Sequence, residues 1–76
     1  MTQNETKQPD LTFLRIKHVI RATGLSRSYI YQLTKAGLFP ESVALVPGGA
    51  SVGWVASEIE DWANERIAER DQETGQ

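Results

Sequence analysis

The sequence contains no cysteine and only one histidine among its 76 residues. It therefore forms no disulfide and no thiolate zinc site, and His18 by itself does not make a metal cluster. No stretch approaches the roughly 20 consecutive apolar residues of a membrane span, and the N-terminus lacks the pattern of a signal peptide. These absences predict one small cytoplasmic domain with no cofactor, no metal ion and no membrane partner.

The residue groupings that are typical of an active site are also missing. The sequence has no pair of carboxylates in a plausible cleft, no nucleophile beside a base and no glycine-rich phosphate loop ahead of a helix. Gly48 and Gly49 follow a β-prone run, but another β-prone run and not a helix comes after them, so they do not form such a loop. The sequence therefore predicts a binding protein and not an enzyme.

The formal net charge of -2 hides a strong asymmetry along the chain. Residues 1–40 hold six cations and two acids, whereas residues 41–76 hold two cations and eight acids. Such a distribution is typical of a protein with one face for a polyanion and a distant face that repels it. For the acidic C-terminal helix alone, we prefer the interpretation of a solvated helix without a role in binding.

The most informative stretch of the sequence lies between two glycines. Gly24 is placed to break a first helix, Ser26 to cap a second one and Gly37 to end it. At about 100° per residue, Ile30 and Leu33 fall on the inner side of the second helix. Its outer side carries cations, hydrogen-bonding groups and no carboxylate: Arg27, Ser28, Tyr31, Gln32 and Lys35. An outer face without acids favours a negatively charged partner.

A short helix is predicted directly ahead of this one, over residues 17–23. Its apolar side has Val19 and Ile20, and Leu25 is placed to fill the gap between the two helices. Its outer side is basic: Lys17, His18 and Arg21. Two helices joined by a glycine turn form the helix-turn-helix pattern, whose second helix lies in the DNA major groove. The alternative is an ordinary helical hairpin, and the absence of acids favours DNA.

The rest of the sequence predicts a hairpin and a third helix. Residues 43–46 and 52–55 are short β-prone runs separated by a turn. Ser57 and Glu60 form a capping box for a helix over residues 57–69. The predicted core, with both tryptophans as anchors, is Val19, Ile20, Leu25, Ile30, Leu33, Trp54, Ile59 and Trp62.

The predicted fold is of the α+β class and mostly helical. It is a small winged helix-turn-helix with three helices and a two-stranded β-hairpin wing. Residues 11–70 form this domain, in which residues 11–16 make a short extended segment ahead of the first helix. Residues 1–10 are predicted to be a disordered arm and residues 71–76 a disordered tail.

Several short sequence blocks follow one another in a fixed order from residue 13 to about residue 69. The blocks are Phe13-Leu14-Arg15-Ile16, Thr23-Gly24-Leu25-Ser26-Arg27-Ser28, Lys35-Ala36-Gly37, Phe39-Pro40, Gly48-Gly49, Val52-Gly53-Trp54 and Ser57-Glu58-Ile59, followed by Trp62. This order resembles the AlpA family of prophage-encoded transcriptional regulators, small winged-helix proteins related to phage excisionases and more distantly to MerR-type domains. The resemblance implies a bacterial or prophage DNA-binding regulator, often tied to integrase expression or element excision.

The resemblance also implies where DNA is contacted. It places the recognition helix at residues 26–36 and the wing at residues 48–51. Members of the family usually carry arginine or lysine around the wing and just after the Gly-Trp pair, where this sequence has Ala50, Ser51 and Val55. The expected wing donors are therefore backbone amides, those of Gly48 and Gly49, together with Ser51.

The candidate DNA contacts divide into two groups. Arg27 and Gln32 have the reach and donor pattern for guanine and adenine edges, and Ser28 suits a base or a phosphate. The predicted phosphate contacts are Lys17, Arg21, Ser26, Tyr31, Lys35, Gly48, Gly49 and Ser51. With about six phosphate contacts or fewer, affinity would be modest and steeply salt-dependent, so specificity would need several copies on tandem or inverted sites.

The leading functional hypothesis is a sequence-specific regulator that binds double-stranded DNA and controls integrase or excision genes. Its operator would be a promoter or an attachment site, and RNA polymerase and integrase are the candidate protein partners. An excisionase-like factor that bends recombination sites uses the same winged helix and is not separated from it by sequence. A third hypothesis is a protein-binding adaptor, whose acidic last helix would dock a basic partner and whose hairpin edge would pair with another chain.

Overall fold

The computed structural model describes residues 11–73, so the predicted arm over residues 1–10 lies outside the described part, as do residues 74–76. Within the described range the chain forms three helices and three short strands. Their bounds are β1 Phe13–Leu14, α1 Ile16–Thr23, α2 Arg27–Lys35, β2 Val43–Ala44, β3 Val52–Val55 and α3 Ala56–Glu73. The predicted fold class is confirmed. Residues 71–73, which the sequence assigned to the tail, belong to α3.

Local capping signals fix both ends of α2. The Ser26 hydroxyl accepts a hydrogen bond from the Tyr29 amide over 3.1 Å, as its position before the helix predicts. Gly24 and Gly37 both adopt a φ of 77°, the left-handed conformation that ends α1 and lets the chain leave α2. After Gly37, the Leu38 amide bonds back to the Leu33 carbonyl over 2.8 Å. Both helix ends predicted from glycine are confirmed.

The sheet has β3 in its centre, with the strand order β1-β3-β2 and antiparallel pairing on both sides. Phe13 pairs with Val55, and Val43 pairs with Gly53. The extended segment predicted ahead of α1 is thus a third strand of the sheet. On the other edge, β2 ends at Ala44, two residues earlier than predicted, because the chain then enters the turn. From here on, the wing means residues 43–55, that is, the whole hairpin together with the predicted wing at residues 48–51.

No loop separates β3 from α3. The helix begins at Ala56, directly after Val55, and the Ala56 amide donates to the Thr12 carbonyl over 2.8 Å. The predicted cap at Ser57 is wrong because the strand feeds straight into the helix and Ser57 already lies in its first turn. No helix within residues 11–73 is long and apolar enough to cross a membrane.

The core lies between the three helices and the Trp54 side of the sheet. Its buried residues are Val19, Ile30, Phe39, Trp54 and Ile59, with Leu14, Ile16, Ile20, Leu25, Leu33, Val52 and Trp62 packed against them. All eight predicted core residues are in this set. Phe39 was missed, because it lies in the loop after α2, where no helical or strand period marks it. Both tryptophans are core anchors, as predicted.

Candidate nucleic-acid interface

The outer face of α2 is a polar strip that contains no acid. Its five predicted residues are all exposed: Arg27, Ser28, Tyr31, Gln32 and Lys35. On the opposite side of the helix Ile30 is completely buried and Leu33 is half-buried against the core. The two-sided character of α2 that the sequence predicts is therefore present in the structure, and packing on the core holds the polar strip outward.

The cations of this half of the protein have no carboxylate partners in the described part of the chain. The ion pairs between described residues lie in α3 and join Arg66 to Glu69 and Arg70 to Asp71. Residues 11–40 contain no acid at all, and their cations are Arg15, Lys17, Arg21, Arg27 and Lys35. Because no carboxylate between residues 11 and 73 neutralises them, these charges remain available to a polyanion.

Helix α1 adds a second basic segment next to α2. Lys17, His18 and Arg21 are exposed, and Arg21 lies in the last turn of α1, just before the glycine turn. Arg15, which the predicted contact set did not include, is the exposed N-cap residue of α1. Arg15 could have been added to the predicted DNA contacts because it lies in the acid-free segment, residues 11–40.

The N-terminal turn of α2 offers hydrogen-bond donors. The Ser26 hydroxyl oxygen is occupied by the Tyr29 amide, but its hydrogen remains available for donation. The amides of Arg27 and Ser28 make no hydrogen bond to another described residue, as is usual for the first turn of a helix. Together with the partial positive charge of a helix N-terminus, these groups suit a phosphate oxygen.

Tyr31 stands where the outer face of α2 meets the core. Its ring lies 6.3 Å from the Trp54 ring at an interplanar angle of 53°, and the side chain is about half exposed. This contact limits the positions that the Tyr31 hydroxyl can take. Tyr29, on the flank of α2 and also half exposed, was not among the predicted contacts.

The turn of the wing holds the two glycines whose amides are predicted to contact DNA. Gly48 has a φ of 75°, and the Gly49 amide donates to the Val46 carbonyl over 2.9 Å. The Gly49 amide is therefore already engaged by the turn, and its contact with DNA stays a prediction. The Gly48 amide makes no bond to another described residue, and the Ser51 hydroxyl likewise has none. The wing carries no charged side chain.

Two helices joined by a glycine turn, an acid-free outer face on the second helix and a β-hairpin define a small winged helix-turn-helix protein. This is a class of DNA-binding transcriptional regulators. The model of the family described as "Prophage CP4-57 regulatory protein (AlpA)" matches residues 12–67. The chain therefore belongs to the AlpA family of prophage regulatory proteins, which confirms the resemblance drawn from its short sequence blocks.

A phage protein is similar to most of this chain. It is the "Uncharacterized protein ORF88" of Enterobacteria phage P4, which is 48% identical over 65 residues. The match covers 82% of this chain and 72% of the phage protein.

Proposed function

We propose that this protein binds specific duplex DNA sequences with α2 in the major groove and thereby controls integrase or excision genes of a prophage or related element. The observation that carries the proposal is the exposed, acid-free outer face of α2, in a half of the protein whose cations have no described carboxylate partner. Membership of the AlpA family supports the regulatory role. Similarity to a phage P4 protein supports the link to a mobile element.

Base recognition is assigned to the N-terminal and central part of α2. Arg27 at the first helical position can donate two hydrogen bonds to guanine, and Gln32 can donate to and accept from adenine. Ser28, between them on the same exposed face, has a short side chain that suits a base edge or a phosphate. The N-terminal residues of a recognition helix are those that contact base edges in helix-turn-helix complexes.

Phosphate contacts are assigned around this centre. Lys17 and Arg21 on α1 and Lys35 in the last turn of α2 supply positive charge, without a carboxylate nearby in sequence. The Ser26 and Tyr31 hydroxyls, the Gly48 amide and the Ser51 hydroxyl supply uncharged donors. Since the wing carries no charge, its contribution to affinity is expected to be small.

Footprinting across the protein's own genetic element tests the proposal. We expect protected segments at the promoter of an integrase or excision gene, and repeated sites if several copies bind together. Protection confined to an attachment site would favour the excisionase-like alternative. The footprint of the double variant Arg27→Ala and Gln32→Ala is compared with that of Arg70→Ala. The second variant is the control, because it removes a cation from α3 and leaves α2 unchanged. Loss of the footprint in both proteins would contradict a specific role for α2.

A further inference from the structure

A groove of about 490 Å³ lies between α3 and the loop that follows α2. It shares no residue with the outer face of α2. Its apolar part is formed by Leu38, Phe39 and Trp62, and its acidic side by Glu58, Asp61 and Glu65.

The apolar part of the groove has a fixed backbone and an exposed aliphatic side chain. The Leu38 amide donates to the Leu33 carbonyl over 2.8 Å, and the Leu38 carbonyl accepts from the Trp62 indole over 2.9 Å. Phe39 packs on Trp62 with ring centroids 4.8 Å apart and planes at 69°. Although both backbone groups of Leu38 are held, the residue is 63% exposed. The loop therefore presents a large apolar group to solvent in a defined place.

The acidic side of the groove carries negative charge that no described residue neutralises. Glu58, Asp61 and Glu65 follow one another along one side of α3 and are all exposed. None of them makes an ion pair with another residue of the described range. Arg66 also lines the groove, but its guanidinium is paired with Glu69 over 2.6 Å.

We propose that this groove docks a segment of another protein that carries a large apolar side chain flanked by lysine or arginine. The apolar side chain would lie against Leu38 and Trp62, and the cations would face the carboxylates of α3. Charge complementarity selects this occupant, because nucleic acid would be repelled by the same carboxylates.

A second copy of this chain is a poorer occupant than a different protein. The cations of residues 11–40 are those that the proposed function assigns to DNA, and only this step of the inference rests on that function. The described cations that remain are Arg66 and Arg70, and each is paired with an acid on α3. Within residues 11–73, a copy bound to DNA thus has no unpaired cationic segment to offer to the groove.

The two indole N–H groups of the protein provide the readout. Trp62 lies in the groove, whereas Trp54 is 1% exposed and donates to the Pro40 carbonyl instead. The probe is a capped helical peptide with two leucines one turn apart and lysines on either side of them. We expect saturable movement of the Trp62 indole resonance in nitrogen–proton NMR spectra, with little change at Trp54. A peptide with glutamate in place of lysine should leave both resonances unchanged.

Two charge-matched triple variants separate the groove from general attraction. Glu58→Gln, Asp61→Asn and Glu65→Gln remove the carboxylates of the groove, and we expect them to weaken peptide binding about tenfold at low salt. Glu41→Gln, Glu60→Gln and Glu73→Gln remove as much charge from exposed positions elsewhere and should leave binding nearly unchanged. Equal weakening by both sets, or no saturable binding of the lysine peptide, would overturn the proposal.

Further measurements show which proposal a negative result would contradict, the docking groove or the DNA-binding function. A Trp62 resonance that moves with protein concentration alone, together with a dimer in sedimentation, would make a second copy the occupant and overturn the choice of a partner protein. Arg27→Ala should relax the preference at one base position in DNA titrations, while peptide affinity stays the same. The groove triple variant should bind DNA at least as well as the unchanged protein. If the protein without substitutions does not bind DNA, that result would count against the proposed function and not against the docking of a peptide in the groove.

Discussion

The indole N–H of Trp54 donates a hydrogen bond to the carbonyl of Pro40 over 3.1 Å. This bond ties the central strand of the sheet to the loop that follows α2. The Trp62 indole makes a second tie of the same kind, to the Leu38 carbonyl. Both tryptophans therefore act on the loop between α2 and the wing, and they fix where these two elements stand relative to each other.

The first prediction concerns the difference between these two tryptophans. Trp54→Phe removes the donor to Pro40 and leaves a gap in the best-buried part of the core, since Trp54 is 1% exposed. We expect it to lower the free energy of unfolding by about 2–3 kcal/mol, measured by urea unfolding followed by circular dichroism. Trp62→Phe is the matched control and should lower it by about 1 kcal/mol or less, because that site is only half-buried. The reverse order would contradict the assignment of Trp54 as the main anchor.

The second prediction concerns two different physical reasons why glycine is required at a position, lack of space for a side chain and a positive φ. Gly53 lies in β3 between both neighbouring strands, and a Cβ there would meet Leu45 Cδ1 and Phe13 Cβ, each at 3.2 Å. Gly48 has open space around it but a φ of +75°. We expect Gly53→Ala to lower the free energy of unfolding by about 1–3 kcal/mol through crowding, and Gly48→Ala by about 1 kcal/mol through backbone strain.

Asparagine at both positions provides the control for this pair. Because asparagine tolerates the left-handed region better than alanine, Gly48→Asn should be less harmful than Gly48→Ala. At Gly53 the larger side chain should be more harmful than alanine. Thermal unfolding of the four variants is the measurement, and the same ranking of alanine and asparagine at both sites would show that one of the two explanations is wrong.

The third prediction concerns base recognition. Arg27→Ala and Gln32→Ala should each weaken binding to the cognate site by about 1–3 kcal/mol and relax the preference at one base position, because each removes the side chain proposed to make a bidentate base contact. Titrations against the cognate duplex and its single-base variants measure this effect. If either variant weakens binding equally on every sequence, that residue contacts phosphate and not a base.

The fourth prediction concerns the phosphate contacts. Removing Lys17, Arg21 or Lys35 should reduce the steepness of the log–log salt dependence by about 0.9 for each lost contact, with little change in base preference. Titrations of each alanine variant on one duplex from low to moderate salt give the slope. Arg70→Ala, which removes a cation that is paired with Asp71, serves as the control. An unaltered slope for Lys35→Ala would remove Lys35 from the set.

The fifth prediction tests the uncharged wing. Ser51 is half-buried next to the turn, and its side chain makes no hydrogen bond to a described residue. If the wing lies near the DNA backbone, Ser51→Arg should raise affinity for cognate and random duplexes alike and steepen the salt dependence. Ser51→Gln, which has similar length without charge, is the matched control. No change in either quantity for the arginine variant would place the wing away from the phosphates.

Features with local causes were predictable from the sequence. The start of α2 follows from a serine that caps the next turn, and its end from Gly37, so the bounds needed no tertiary information. The exposed outer face of α2 follows from the helical period, with Ile30 turned into the core. The DNA contacts assigned to this face stay predictions.

Features that depend on distant parts of the chain were not predictable in the same way. The two residues of β1 have no period of their own, and they form a strand only because Val55 and Trp54 lie opposite them. Phe39 is buried by the fold of a loop, and no pattern marks it. The Gly49 amide looked available in the sequence, but the turn closes on it through the Val46 carbonyl.

The direct passage from β3 into α3 has a mechanical consequence. Between Val55 and Ala56 the chain has no hinge, and the Ala56 amide is already bonded to the Thr12 carbonyl. The wing therefore cannot swing against α3 without breaking sheet or helix hydrogen bonds. If a DNA groove does not match the width set by the wing, the duplex and not the protein would have to deform. The flexibility of a target sequence would then contribute to its selection, even at base pairs that no side chain touches.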